Sequence, residues 1–233
     1  SVGECKIAPT GQTSFSISFG SCADITNPTV YSTIAALTDD LLFHLGDLWY
    51  ADASGTTLTN YRSKMANQLN ASHLKGLLAK RPSVFIGSDH DMAMNNNNTG
   101  LEDPTAYANY HTVYREMLPD VPETSDGTYY AFTWGRVRFI VTDTQSYATS
   151  EAATDNTSKT MLGTTQKQWF KDQITNATEP LIVWVQDGPW VAPTTAGEDD
   201  WGGYNTERQE LVTHFNGAGK NVITIAGDMH AVA

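Results

Sequence analysis

Cysteine is nearly missing from this chain: Cys5 and Cys22 are the only two among 233 residues, too few for a disulfide framework. Cations are scarce as well. Lys and Arg number 14 against 26 Asp and Glu, a net charge of −12. Nucleic-acid binders draw their affinity from Lys and Arg at phosphates, so this balance argues against a nucleic-acid-binding surface. It also works against the capture of an anionic substrate unless bound metal ions reverse the sign locally. No apolar run approaches the roughly 18 residues that suggest a membrane span. No signal peptide is visible, and SVGECKIAPTG at the start reads as a mature terminus left after processing. Internal repeats and long linkers are lacking too, so residues 1–233 are read as a single domain.

What is present is a globular composition, with 40% hydrophobic and 10% aromatic residues. A chain this long hides roughly 70% or more of its unfolded surface and needs no staples. Four glycosylation triplets occur, at Asn70, Asn97, Asn156 and Asn176, while Asn27-Pro28-Thr29 is excluded by its proline. They point toward an extracellular, secreted protein.

Short apolar runs alternate with helical patterns. SFSISFGSC places Phe15, Ile17 and Phe19 on one face at period two. LLFHLGD, SVFIGSD, LIVWVQD and NVITIAGD are continuous apolar runs ending in Gly or a carboxylate, the pattern of strands covered on both faces. TYYAFTWGRVRFIVTDTQ reads as a hairpin with Trp134-Gly135 at its turn. Helical spacing runs through TVYSTIAALTDD, a long YRSKMANQLNASHLKGLLAK, YANYHTVYREML, TQKQWFKDQIT and ERQELVTHF. NNNNTG and DGPWVAPTTAGEDDWGGYN read as surface loops. The expected class is α/β, a mixed sheet covered by helices.

Chemistry gathers at four strand ends: GSCAD, GDLWY, GSDHD and GDMH. Taken singly, each residue has a plain structural reading. Asp47 caps a helix, Tyr50 packs, Cys22 is a small buried residue or half of a bridge with Cys5, and Asp89-His90 is a polar pair facing solvent. His44, His73, His111 and His214 fall within strand or helix patterns and are read as structural. Together the four ends offer carboxylates, imidazoles, a thiol and a phenol. That donor set suits a transition ion beside a hard divalent one, and such a pair clamps phosphoryl groups.

The order GSC, GDxxY, DHD and GDxH resembles the calcineurin-like metallophosphoesterase superfamily, and within it the PhoD-like alkaline phosphatases. GTYYAFTWGRVRFIVTDTQSY, MLGTTQKQWF and SDHDMAMNNNNTG are similar to further stretches of that family. The resemblance implies a sandwich of two mixed β-sheets flanked by helices, in αββα layers. It implies hydrolysis of phosphate mono- or diesters by a metal-bound hydroxide at a dinuclear or multinuclear site, with a small phosphoester as substrate. By the same resemblance Asp47 bridges the metals, Cys22, Tyr50 and His230 hold ferric iron, and Asp89 and Asp228 hold calcium, other divalent metals remaining open. His90 is implied as the general acid and Asn95 as a substrate-binding residue. Asp24, Asp52 and Asp187 stand nearby without an assigned role.

Departures accompany the match. Ser88 stands where the family has the first Asp of DDHD, and Gln145 stands in the DTR position, removing a cation. The chain stops three residues after His230, where the family continues with more strands, so a missing C-terminal segment or a partner chain is expected. The alternative function is a catalytically weak or inactive secreted glycoprotein using the same fold in a structural or assembly role. A Cys5–Cys22 bridge, which would remove a ligand, stays open.

Overall fold

Continuous apolar runs become strands wherever the pattern places them. The computed structural model describes residues 6–23, 26, 28–50, 57–92, 103–118 and 127–229. Strands β1 (Ile17–Gly20), β2 (Leu41–Leu45) and β3 (Ser83–Ile86) form one sheet in that order, parallel throughout. The second sheet has the order β4-β5-β6-β7, from Tyr130–Trp134, Val137–Val141, Leu181–Gln186 and Val222–Ala226. It is mixed: β4 and β5 are the expected antiparallel hairpin, and β5, β6 and β7 run parallel.

Helices α1 (Pro28–Ala36), α2 (Leu58–Asn70), α3 (Ser72–Leu78) and α5 (Pro104–Met117) belong to the first sheet's side. A single turn, α4 (Asp89–Met92), follows β3 directly. Helices α6 (Gly163–Asn176) and α7 (Asn205–Ala218) cover the second sheet. Parallel neighbours require such crossovers, and their helices supply the outer layers.

Side-chain alternation sorts three cores. Leu41, Phe43 and Leu45 of β2 pack between the sheets with Phe139, Val141, Val183 and Val185. The Phe43 and Phe139 rings stack 5.1 Å apart. Leu42 turns the other way, toward Leu74, Leu77 and Tyr110. Ile182 and Trp184 of β6 likewise face Phe170 and Leu211. The outcome is two sheets face to face with helices outside, the expected αββα arrangement. Among the described residues, no helix is long and apolar enough to cross a membrane.

The structure departs from the sequence reading in three places. The first sheet, expected to be mixed, is parallel across its described strands, because helical crossovers rather than hairpins join them. The pattern over residues 61–80 reads as one helix, yet the chain breaks at Ala71, whose φ of −56° and ψ of 124° are not helical. Ala71 N–H donates to Gln68 O at 3.1 Å and its carbonyl accepts from Lys75 N–H at 2.9 Å, closing one helix and opening the next. The stretch after β6 reads as a surface loop, but Trp201 and Tyr204 within it are fully buried. Trp201 Nε1–H donates to Gln186 Oε1 at 2.6 Å, which draws the loop back against the strand end.

Candidate metal centre

Hydrogen-bonded ladders continue past the strand ends and set the site. Cys22 N–H donates to Gly46 O at 3.1 Å and Ala23 N–H to Asp47 O at 2.8 Å. This registers Cys22 beside Asp47, and the Cys22 thiol donates to Asp47 Oδ2 at 3.5 Å. In the second sheet Gly227 N–H donates to Asp187 O at 2.7 Å. Asp228 N–H donates across to Ser21 Oγ at 3.2 Å, tying the two sheets together at this edge. Glycine precedes both aspartates for steric reasons. A Cβ on Gly46 would sit 2.6 Å from Ser88 Cβ, and one on Gly227 would strike the Leu45 carbonyl.

Backbone strain marks the same positions. Among the described residues, the non-glycine residues with positive φ are Cys22 (57°), Asp47 (54°) and Asp228 (60°). Left-handed backbone costs an L-residue about 1–2 kcal/mol. Such strain persists where the surroundings over-determine it, and it clusters at functional sites. Three of the expected metal ligands carry it.

Asp47, Asp89 and His90 each present a ligand atom within 4.8 Å of the others. Asp47 and Asp89 are buried. The Tyr50 ring lies 4.5 Å from the His90 ring, centroid to centroid. Asp91 holds the platform: its carboxylate accepts from Trp49 N–H at 2.9 Å and Ser88 N–H at 3.0 Å. Trp49 Nε1–H also donates to the Asp91 carbonyl at 2.7 Å. Ser88 puts its hydroxyl to use, donating to Asp89 Oδ1 at 3.1 Å. Gln145 donates from Nε2 to Asp187 Oδ2 at 2.8 Å.

The electrostatics describe negative groups short of a counterion. Burial first, then the neighbouring Asp89, pushes Asp47 up to about 6. Burial raises Asp91 to about 8 against its backbone hydrogen bonds. Asp199 rises to about 6 through burial and the fields of Asp228 and Asp89. Burial also raises the Cys22 thiol to about 11, displaces Tyr50 upward, and holds Asp187 well above the usual carboxylate range. Asp47 Oδ1 and Asp187 Oδ1 are buried with no hydrogen-bond partner. Unpaired buried acceptors are rare and costly, and a cation among them would satisfy the oxygens and reverse these shifts. The donor set, with two orphaned carboxylate oxygens, therefore fits a bound metal.

Of the residues expected at the site, Asp47, Asp89 and His90 come together in one group, with Cys22 against Asp47 and Tyr50 against His90. Asp228 reaches the same edge through Ser21. His230 and Asn95 lie outside the described residues, as do Asn97, Cys5, Asp24 and Asp52. Cys22 carries a free thiol. Asn70, Asn156 and Asn176 are exposed. Sequence reasoning missed Asp91 and Asp199 and left Asp187 without a role. A backbone clamp such as Asp91 shows only as an Asp three residues past Ser88. Asp199 gives no local signal, because a buried tryptophan two residues on brings its loop to the site.

Comparison with known proteins bears on what this edge is. A family model described as PhoD-like phosphatase matches residues 17–233. Alkaline phosphatase D of Bacillus subtilis (strain 168) is 27% identical over 285 residues, covering 99% of this chain and 48% of the relative. The chain thus spans about half the length of that curated relative. A solved structure of PhoD superposes with a TM-score of 0.85 at 24% identity, over 98% of this chain and 54% of that one. Purple acid phosphatase PPD1 from yellow lupin (Lupinus luteus) seeds follows with a TM-score of 0.65 at 15% identity, over 98% and 40% of the two chains. The αββα layering is common to both neighbours, whereas the family model spans the strand ends where Cys22, Asp47, Asp89 and Asp228 stand. The chain belongs to the PhoD-like phosphatase family.

Proposed function

We propose that this protein is a metal-dependent phosphoesterase acting on small phosphate mono- or diesters. The observation that carries it is the placement of Cys22, Asp47 and Asp228 in left-handed backbone at one edge, beside the Asp47–Asp89–His90 group. Such strain clusters at active sites, ligand clamps and switch regions. Asp47 would serve both cations. Cys22, Tyr50 and His230 would hold a ferric ion, while Asp89 and Asp228 would hold calcium, whose preference is for oxygen donors. When bound, the cations supply positive charge for the phosphoryl oxygens and an activated water.

The chain's own residues do the rest. His90 stands beside the two carboxylates and donates a proton to the departing alkoxide oxygen. Asp91 keeps the Trp49 and Ser88 backbone fixed, so Asp47 and Asp89 do not shift during turnover. Ser88 orients Asp89 by its hydroxyl. Asn95 would be the substrate-binding residue, as the family resemblance implies.

The test is hydrolysis of a chromogenic phosphoester by protein stripped of metal, then reconstituted with iron and calcium. Turnover returns on reconstitution. His90→Asn keeps its metal content and loses a factor of about 10²–10⁴ in turnover. Full metal occupancy without turnover on any monoester or diester refutes the enzymatic reading. It would favour the second one, a secreted glycoprotein using the fold structurally, which the exposure of Asn70, Asn156 and Asn176 supports. Expression in a secretory eukaryotic host followed by glycosidase treatment, read as a mass decrease, tests the glycan part.

A further inference from the structure

The loop of residues 188–204 leaves the end of β6 and is drawn back to it. Asp187, at its root, accepts through its carbonyl from Gly227 N–H at 2.7 Å, one residue before Asp228. Near the far end, Trp201 Nε1–H returns to Gln186 Oε1 at 2.6 Å. Asp199 stands two residues earlier and is half-buried. The charges of Asp228 and Asp89 both act on its carboxylate. Its neighbour Asp200 is occupied in the turn instead, accepting from Gly202 N–H at 2.6 Å.

One side chain grips this loop from outside it. Arg208, in the first turn of α7, donates from Nη1 to Ala192 O at 2.9 Å and to Trp190 O at 3.5 Å. From Nη2 it donates to Thr194 Oγ1 at 3.0 Å and to Asn205 Oδ1 at 2.9 Å. The gripped limb lies directly on the returning one, since a Cβ on Gly202 would sit 2.0 Å from Pro193 O. A cation in the first turn of a helix works against the helix dipole, so Arg208 is held there by the loop and not by its own helix.

We propose that Arg208 is a positioning residue of the metal centre, holding the loop so that the Asp199 carboxylate adds its negative charge beside Asp89 and Asp228. The role rests on the metal centre of the phosphoesterase reading and adds a support that none of the strand-end motifs contains. A guanidinium suits it. Its fork spans main-chain carbonyls on one side and side-chain oxygens on the other, whereas a lysine ammonium is a single point. The grip also has a sign that separates it from a field effect. Removing a positive charge near a calcium site should tighten calcium by attraction alone. Releasing Asp199 should weaken it.

The experiment titrates calcium into the intact, metal-stripped protein by calorimetry, for the wild type, Arg208→Met, Asp199→Asn and the double variant. Arg208→Met should weaken calcium binding at least about threefold, with no further loss once Asp199→Asn is present, because residues that act through one another are not additive. Arg208→Lys should recover only part of the loss. Thr194→Val removes one Nη2 bond at an exposed position and should weaken calcium in the same direction, which covers the case of an Arg208→Met chain that does not fold. Calcium affinity unchanged or tightened in every folded variant overturns the inference, as do losses that add to that of Asp199→Asn, or full recovery with lysine. A wild type that binds no calcium refutes the metal centre itself, and the role of Arg208 with it.

Discussion

Asparagine in place of Asp47 should stabilise the metal-free protein while destroying its response to metal. In the folded chain Asp47 is 1% exposed, and burial with the neighbouring Asp89 takes its carboxyl from an ordinary 3.8 to about 6. At pH 8 the group is ionised in both folded and unfolded states. Keeping it charged in the fold therefore costs roughly 3 kcal/mol. The amide removes that cost and also favours the left-handed backbone held at φ 54°. Against it, one amide N–H inherits the unpartnered position of Oδ1, at about 1 kcal/mol. The net gain is about 2 kcal/mol, which for a chain of this size raises the melting temperature by about 4–8 °C. Metal reverses the ranking. A ligand held at 100 times its Kd stabilises the wild type by about 2.7 kcal/mol, and the variant gains little because its bridging carboxylate is gone. Melting curves at pH 8 in chelator, and again with iron and calcium, read both effects. A metal-free variant less stable than wild type, or one lifted equally by metal, refutes the reasoning.

Further expectations come from the same geometry. Asp47, Asp91 and Asp199 all titrate above ordinary carboxylates, near 6, 8 and 6. A raised carboxyl gives stability that is fully present below the unfolded value and is lost as pH rises through the folded one. The metal-free protein should therefore melt progressively lower between about pH 4 and 8, and bound metal should flatten that slope. Cys22, raised to about 11, holds roughly a thousandth of its thiol ionised at pH 8. Iodoacetamide should label it about 100-fold more slowly than an ordinary cysteine in the metal-free protein. Phe43→Ala, at a fully buried position between the sheets, should cost about 3–5 kcal/mol, read as a lower urea midpoint.

Much of the layering was legible because strands buried on both faces write themselves as continuous apolar runs. Leu41–Leu45 and Leu181–Gln186 are such runs, and each gives up its alternate side chains to two different cores. The strand-end motifs were legible for a related reason. Gly46 and Gly227 are demanded by close approach, so the following aspartates are announced by a fixed neighbour. The break at Ala71 was not visible, because apolar spacing continues across it and neither glycine nor proline marks it. Asp199 and the Gln145–Asp187 pair were hidden for another reason. Their positions depend on long-range contacts, the pair being 42 residues apart in sequence.

Anomalous diffraction from crystals of the metal-loaded protein, collected on either side of the iron edge, addresses the convergence of the strand ends most directly. The expected map has an iron peak within coordination distance of Asp47 and the Cys22 sulfur, and a second, lighter cation bonded to Asp47, Asp89 and Asp228. Anomalous density elsewhere, with Asp47 left unliganded at full metal occupancy, would contradict the account.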